Sequence, residues 1–309
     1  MAEAKPSKKR VGRPRKNPEK VQIPKNGVCS APVDLDNWIE FVYDKPQIFK
    51  KLWGFLDQMD VKNIQVNYTQ DTIYYWCKDH RDKNRIRVKI DCNKVSHYYC
   101  HKPLEICLLR DREELVMKTI DKSCGVIEFQ SSMANCNRYI NIILKDDMDV
   151  DKVHKIELVG NDNTLKPEEM QGFDDDDYAI KFKLPCKYFK KNIHCIRSLS
   201  EEATIMQEGR DGDLMFDYLD RTKKIKSTNY MRNKKKIELK SKIDPEDIFR
   251  VSFKVDDVKP ISNSDLSDNI DINADENKPL KFEIPLDGGA ITVTVLTKIV
   301  DERAYSNEI

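Results

Sequence analysis

The segment IFKKLWGFLDQM at residues 48–59 returns as YFKKNIHCIRSL at residues 188–199, about 140 positions later. Self-similarity at that distance means two copies of a larger unit, and it constrains every other assignment. In the first copy Ile48, Phe49, Leu52, Phe55, Leu56 and Met59 recur at helical spacing, leaving Lys50, Lys51, Asp57 and Gln58 opposite. In the second, Tyr188, Phe189, Ile193, Ile196 and Leu199 form the apolar face, and Lys187, Lys190, Lys191, His194 and Arg197 the polar one. Each helix buries one side and shows lysines on the other. A charged outer face is ordinarily a solvated one, and only its repetition suggests a shared basic surface.

Both helices sit in the same context. In the first half Pro46 opens the helix after a strand-like IEFVY, and NIQVNYT, TIYYWCKD, RIRVKID and EICLL follow as an antiparallel meander. A second helix, RDREELVMKTID, is expected to turn Leu115, Val116, Thr119 and Ile120 inward, with Arg110 and Lys118 roughly opposite. Three more strands precede residues 161–177, where Pro, Gly and an acidic run, Asp174 to Asp177, read as an exposed linker. The second half repeats the order from YAIKFKLP onward, with a short helical stretch around DDVKPISNSDL that Pro260 puts in question. The expected class is α+β, with antiparallel sheets in two duplicated domains. Their limits are a tail at 1–32, a first domain at 33–160, a connector at 161–177, a second domain at 178–303 and a short tail at 304–309. A chain of 309 residues accommodates two such domains.

Composition excludes more than it identifies. With 54 basic and 53 acidic residues, net charge names no partner. No apolar run approaches the roughly 20 residues of a membrane span, and the basic N-terminus has no hydrophobic stretch behind it, so neither a membrane nor a secreted protein is expected. Nine cysteines without C-x-x-C spacing fit a reducing compartment and no disulfides. Cys92, His97, Cys100 and His101 lack the two close pairs of a structural zinc site. With no glycine-rich phosphate loop, nucleophile elbow or metalloprotease motif, no enzyme, metal or cofactor is expected.

Two basic segments remain. KKRVGRPRKNPEK has the Gly-Arg-Pro core of an AT-hook, through which Arg13, Arg15 and Lys16 could enter an A·T minor groove; an import signal or a nonspecific tail has the same composition. RTKKIKSTNYMRNKKK, residues 221–236, interleaves Tyr230 with bases including Lys234 and Lys235, as a nucleic-acid contact or a solvated hairpin loop does.

Taken in order, FVYDKPQIFKKL, VSHYYC, NTLKPEEM, YAIKFKLPCKYFKKNI and KPLKFEIPLDGGAITVTVLTKIVDE resemble the DNA sliding clamps of the proliferating cell nuclear antigen family. The resemblance spans about residues 39–302 and is nearest to the divergent clamps of African swine fever virus and related large DNA viruses, which also carry a basic tail like that at Gly12, Arg13 and Pro14. It implies a homotrimeric ring with helices inside and sheets outside, acting as a processivity factor in DNA replication and repair. By the same resemblance Lys50, Lys51, Arg110, Lys118, Lys187, Lys190, Lys191 and Arg197 face duplex DNA, with Lys259 a further candidate. Short hydrophobic motifs of a polymerase and other replication proteins would dock near Leu165, Pro167, Pro279, Thr297 and Lys298, where Thr297 and Lys298 replace the Ala-Pro pair of many clamps. A clamp loader is a further implied partner. The implied location is a viral replication factory in the host cytoplasm, or the host nucleus. The rival reading is a regulatory or architectural DNA-binding protein that acts through its AT-hook without a ring.

Overall fold

The computed structural model describes residues 31–146, 151–160, 165–220, 225–231 and 237–300. Arg13, Arg15, Lys16, Lys234, Lys235 and residues 304–309 lie outside the described residues. The first half runs β1 (Asn37–Tyr43), α1 (Pro46–Gln58), β2 (Asn63–Tyr68), β3 (Thr72–Lys78), β4 (Asn84–Asp91), β5 (His97–Cys100), β6 (Leu104–Leu109), α2 (Arg110–Lys118), β7 (Cys124–Ser132), β8 (Tyr139–Asp146) and β9 (Asp151–Glu157). The second repeats that order as β10 (Ile180–Pro185), α3 (Cys186–Arg197), β11 (Glu202–Glu208), β12 (Leu214–Asp220), β13 (Ile225–Tyr230), β14 (Glu238–Ser241), β15 (Ile248–Lys254), α4 (Val255–Asn263), β16 (Asn269–Ala274), β17 (Leu280–Leu286) and β18 (Ile291–Thr297). The class is α+β with antiparallel pairing throughout. No described helix is long and apolar enough to cross a membrane.

Pairing is duplicated as faithfully as order. β1 lies between β5 and β7, and β10 between β14 and β16. β2 lies between β3 and β6, and β11 between β12 and β15. The β3–β4 and β7–β8–β9 pairings recur as β12–β13 and β16–β17–β18. One pairing has no counterpart within the described chain: β18 joins β4 from Ile291↔Ile90 to Thr297↔Asn84. It fuses two half-sheets into a nine-stranded sheet, β14-β10-β16-β17-β18-β4-β3-β2-β6, flanked by the five-stranded β5-β1-β7-β8-β9 and the four-stranded β13-β12-β11-β15.

The repeated helices are anchored alike. Phe49 of α1 is buried with its ring 5.5–5.9 Å from those of Phe41, Tyr43 and Phe129, and Phe189 of α3 sits 5.8 Å from Phe282. Each fully buried aromatic contributes roughly 1.5–3 kcal/mol by leaving water. Pro46 occupies the first turn of α1, where a missing N–H costs nothing.

Two sequence expectations for the shorter helices fail for identifiable reasons. In α2 the buried stripe is Glu113, Val116, Met117 and Ile120, whereas Leu115 is 67% exposed and Thr119 also faces out. The helix is turned by one position relative to the apolar reading, which puts an acid inside. α4 forms despite Pro260 at its sixth position. An interior proline costs about 3 kcal/mol, and burial of Val255, Val258 and Ile261, each worth roughly 1.5–3 kcal/mol, exceeds it.

Candidate nucleic-acid interface

The four helices form one continuous layer in the order α2, α1, α4, α3: α1 packs against α2, α3 against α4, and α1 touches α4 across the β4–β18 junction. The repeated lysines therefore share a layer. Lys50, Lys51, Lys118, Lys187, Lys190, Lys191 and Arg197 are exposed, and Lys259 is half-buried on α4. Lys51 from the first half and Lys187 and Lys190 from the second line one open basin of about 820 Å³ between α1, the start of α3 and the turn after α4. Its other walls include Asp265, 3.8 Å from Lys190, and Asp287.

Not every cation is available to a ligand. Arg110, 12% exposed, meets Asp57 at 2.6 Å, Asp111 at 2.5 Å and Glu114, while its Nε donates to the Val61 carbonyl at 2.7 Å. It is a clamp on the α2 N-terminus, with little charge left to present. Lys50 donates to the Ile120 carbonyl at 2.6 Å and so ties α1 to the end of α2. Lys118 pairs with Glu114 at 2.5 Å, and Arg197 with Asp256 at 2.8 Å.

The junction itself is locked by polar contacts. Asp287 accepts from the Tyr43 hydroxyl and from Lys45, both at 2.5 Å, and these donors, Lys45 foremost, hold its carboxyl below the usual range. Thr297, expected to contact partners, is fully buried and donates to Asn84 at 2.7 Å, so β18 has absorbed it into the junction. Lys298 is exposed and pairs with Asp82 at 3.2 Å, Pro279 is half-buried and Pro167 exposed. Leu165, in the connector, is buried against Trp76, Phe173 and Leu296.

β9 and β13 are sheet edges at the far ends of the five- and four-stranded sheets. Val153 on β9 is 61% exposed, and α2, which packs beside that strand, adds exposed Leu115. Tyr230 on β13 is half-exposed. The supposed basic loop is therefore partly an edge strand.

Crystal structures with this architecture are known. Those of proliferating cellular nuclear antigen from Entamoeba histolytica and from Thermococcus kodakaraensis both match with a TM-score of 0.69, at 13% and 17% identity, covering 86% and 85% of this chain and 100% of theirs. The chain has the fold of the PCNA clamps. In sequence it is similar to an uncharacterised protein of African swine fever virus, 24% identical over 298 residues in a Kenyan pig isolate and 23% in a Malawian tick isolate, covering 94% of this chain and 97% of the viral protein. No protein-family model matches.

Within this clamp fold, sequence reasoning pointed to the connector through Leu165 but missed the aromatic and cationic residues packed against it and the buried acid of α2. Arg85 and Arg87 alternate on β4 with Trp76 opposite Arg87 on β3, a cationic and aromatic sheet face that the alternation alone could have flagged. Glu113 is fully buried, and its carboxyl lies near the Trp53 indole N–H, without a hydrogen bond of good geometry to it or to any other described side chain. Burial pushes the Glu113 carboxyl up to about 8, with Trp53 pulling the other way. Position 258 in α4, the counterpart of 113, holds a buried valine.

Proposed function

We propose that this chain is the subunit of a sliding clamp: a homotrimeric ring that encircles duplex DNA and tethers a DNA polymerase and other replication and repair proteins, with no catalysis of its own. The observation that carries the reading is the one unmatched pairing. β13 is the counterpart of β4, and β9 that of β18; the first pair is an edge where the second is joined. Repeating the β4–β18 junction between chains pairs β13 of one copy with β9 of the next and sets α3 beside the neighbour's α2. Such head-to-tail contacts give rings when the rotation closes, and closure removes edges that otherwise invite aggregation. Leu115 and Val153, exposed in the single chain, are covered by that contact.

In the ring the helix layer lines the hole, and Lys51, Lys187, Lys190 and Lys191, with Lys259 and Arg197 at lesser exposure or paired, face the phosphates. Phosphate contacts carry no sequence information and so permit sliding. Topological attachment then raises the local concentration of a tethered polymerase.

Light scattering of the full chain over a range of concentrations is expected to give three times the 36.2 kDa subunit mass. Val153→Arg, which places a charge on the β9 edge, is expected to cost about 2–4 kcal/mol per interface and yield monomers, and Leu115→Arg to act in the same direction. A wild-type monomer at every concentration, or a trimer indifferent to both changes, contradicts the assigned interface.

A further inference from the structure

The duplicated strand pairing sets the register of a seam between copies residue by residue. Two matching hydrogen bonds fix one side: the Val159 amide donates to the Cys107 carbonyl at 3.0 Å, and the Val300 amide to the Ser252 carbonyl at 2.8 Å. Val300 therefore matches Val159, and Val295, five residues before it, matches His154. On the other side Cys107 pairs with Gln65, Gln65 with Trp76 and Trp76 with Arg87. Ser252, Thr204, Asp217 and Thr228 repeat those steps, so Ile86, the residue before Arg87, matches Ser227.

Inside the chain Val295 faces Ile86 and Val293 faces Val88, and all four side chains are fully buried. The same register at the seam sets His154 against Ser227 and Lys152 against Asn229. Each apolar side chain of the junction is thus replaced by a polar one. Thr297, whose hydroxyl donates to Asn84 within the junction, has Ile156 in its place, so the seam lacks that buried hydrogen bond as well.

His154 is half-buried on β9 opposite Ile142, and its Nε2 is buried with no hydrogen-bond partner among the described residues. Buried polar atoms are ordinarily partnered. Side chains directly opposite across two antiparallel strands have Cβ atoms about 4.5–5.5 Å apart, a gap that an imidazole and a serine hydroxyl bridge with a hydrogen bond. The hydroxyl donates or accepts, so it suits either tautomer of the ring.

We propose that His154 of one copy and Ser227 of the next form a polar latch at each subunit seam, and that this latch, standing where the internal junction has an apolar contact, lets the ring open and exchange subunits unaided. An apolar contact opens only by returning its area to water, whereas a hydrogen bond is replaced by one to water at small net cost. The inference rests on the ring proposed above, and its test separates the two.

Trimers of ordinary and isotopically heavy chain are mixed, and native mass spectrometry follows the appearance of mixed trimers. Installing the junction's own pair, His154→Val with Ser227→Ile, is expected to slow exchange about 100-fold, since each newly buried aliphatic side chain is worth roughly a factor of ten. Either change alone is expected to give no slowing, because it leaves the opposite polar group without its partner. As a check free of any variant, the amides of β9 and β13 in the wild-type trimer are expected to exchange hydrogen at least about ten-fold faster than those of β4 and β18. A double variant that exchanges as fast as wild type, single changes that each supply half the slowing, or equal protection of seam and junction overturns the latch while the ring stands. A chain that stays monomeric at every concentration, in both versions, overturns the ring and the latch together.

Discussion

Changing Lys51, Lys187, Lys190 and Lys191 together to glutamate is expected to weaken binding to duplex DNA by about 10³-fold at low salt and to flatten the salt dependence that remains. The size follows from counterion release, since a protein with about six to ten phosphate contacts loses about 10³–10⁵ in affinity over a modest rise in salt. In the proposed threefold ring each lysine occurs three times, so changing four per chain would remove most such contacts. The choice of residues is structural. All four are exposed on α1 and α3, and among the described residues only Lys190 of the four has an ion-pair partner, Asp265 at 3.8 Å. Lys50 and Arg110 are left alone because their side chains hold α2 in place, and changing them would confound binding with folding. Anisotropy titrations over a salt series, with the oligomer mass checked in parallel, measure the effect. An intact oligomer with unchanged affinity and slope would put DNA on some other surface.

The second large effect concerns stability. Glu113→Gln is expected to stabilise the fold by about 2–4 kcal/mol at pH 9 and to change little near pH 4.5. The sign follows from proton linkage. The folded carboxyl titrates near 8 and the ordinary one near 4.5, so between those values the folded chain binds more protons than the unfolded chain. Stability from this group therefore falls as pH rises from about 4.5 to 8, and then stays at its lower level. Glutamine keeps the neutral shape and cannot ionise. Chemical denaturation of both proteins at several pH values measures the difference, and parallel stability curves would mean that Glu113 is solvated or paired after all. If the ring forms as proposed, α2 lies beside a subunit contact, and alkaline loosening of α2 should lower the trimer fraction as well.

The duplication was legible because Phe49 and Phe189 head helices whose spacing survives the divergence between the copies, and the strand order followed from alternation in segments such as NIQVNY and ITVTVL. Local periodicity reaches that far. It does not reveal partners distant in sequence. The acids at 174–177 read as a free linker because their lysines, at 242, 278 and 281, arrive from other strands. Thr297 read as surface because nothing local shows that β18 pairs with β4, 200 positions away. β13 was hidden by the lysines around it, whose composition outweighs a short strand signal. Glu113 was passed over because an acid on a helix is rarely inside; only the identity of position 258, a valine at the matching place in the other half, hints at its burial. Comparing the two halves position by position, rather than reading each alone, is what would have exposed it.

Whether the chain surrounds DNA is tested most directly by topology. A linear duplex is anchored at one end, the protein is allowed to thread over the free end, and that end is then closed with a bulky bound protein. Salt is raised until phosphate contacts no longer hold. Retention while the end is closed, followed by loss once a restriction cut reopens it, is the predicted result, because only a ring is held by an obstacle at a distance. Departure at the same rate with the end closed or open would contradict encirclement and, with it, the proposed function.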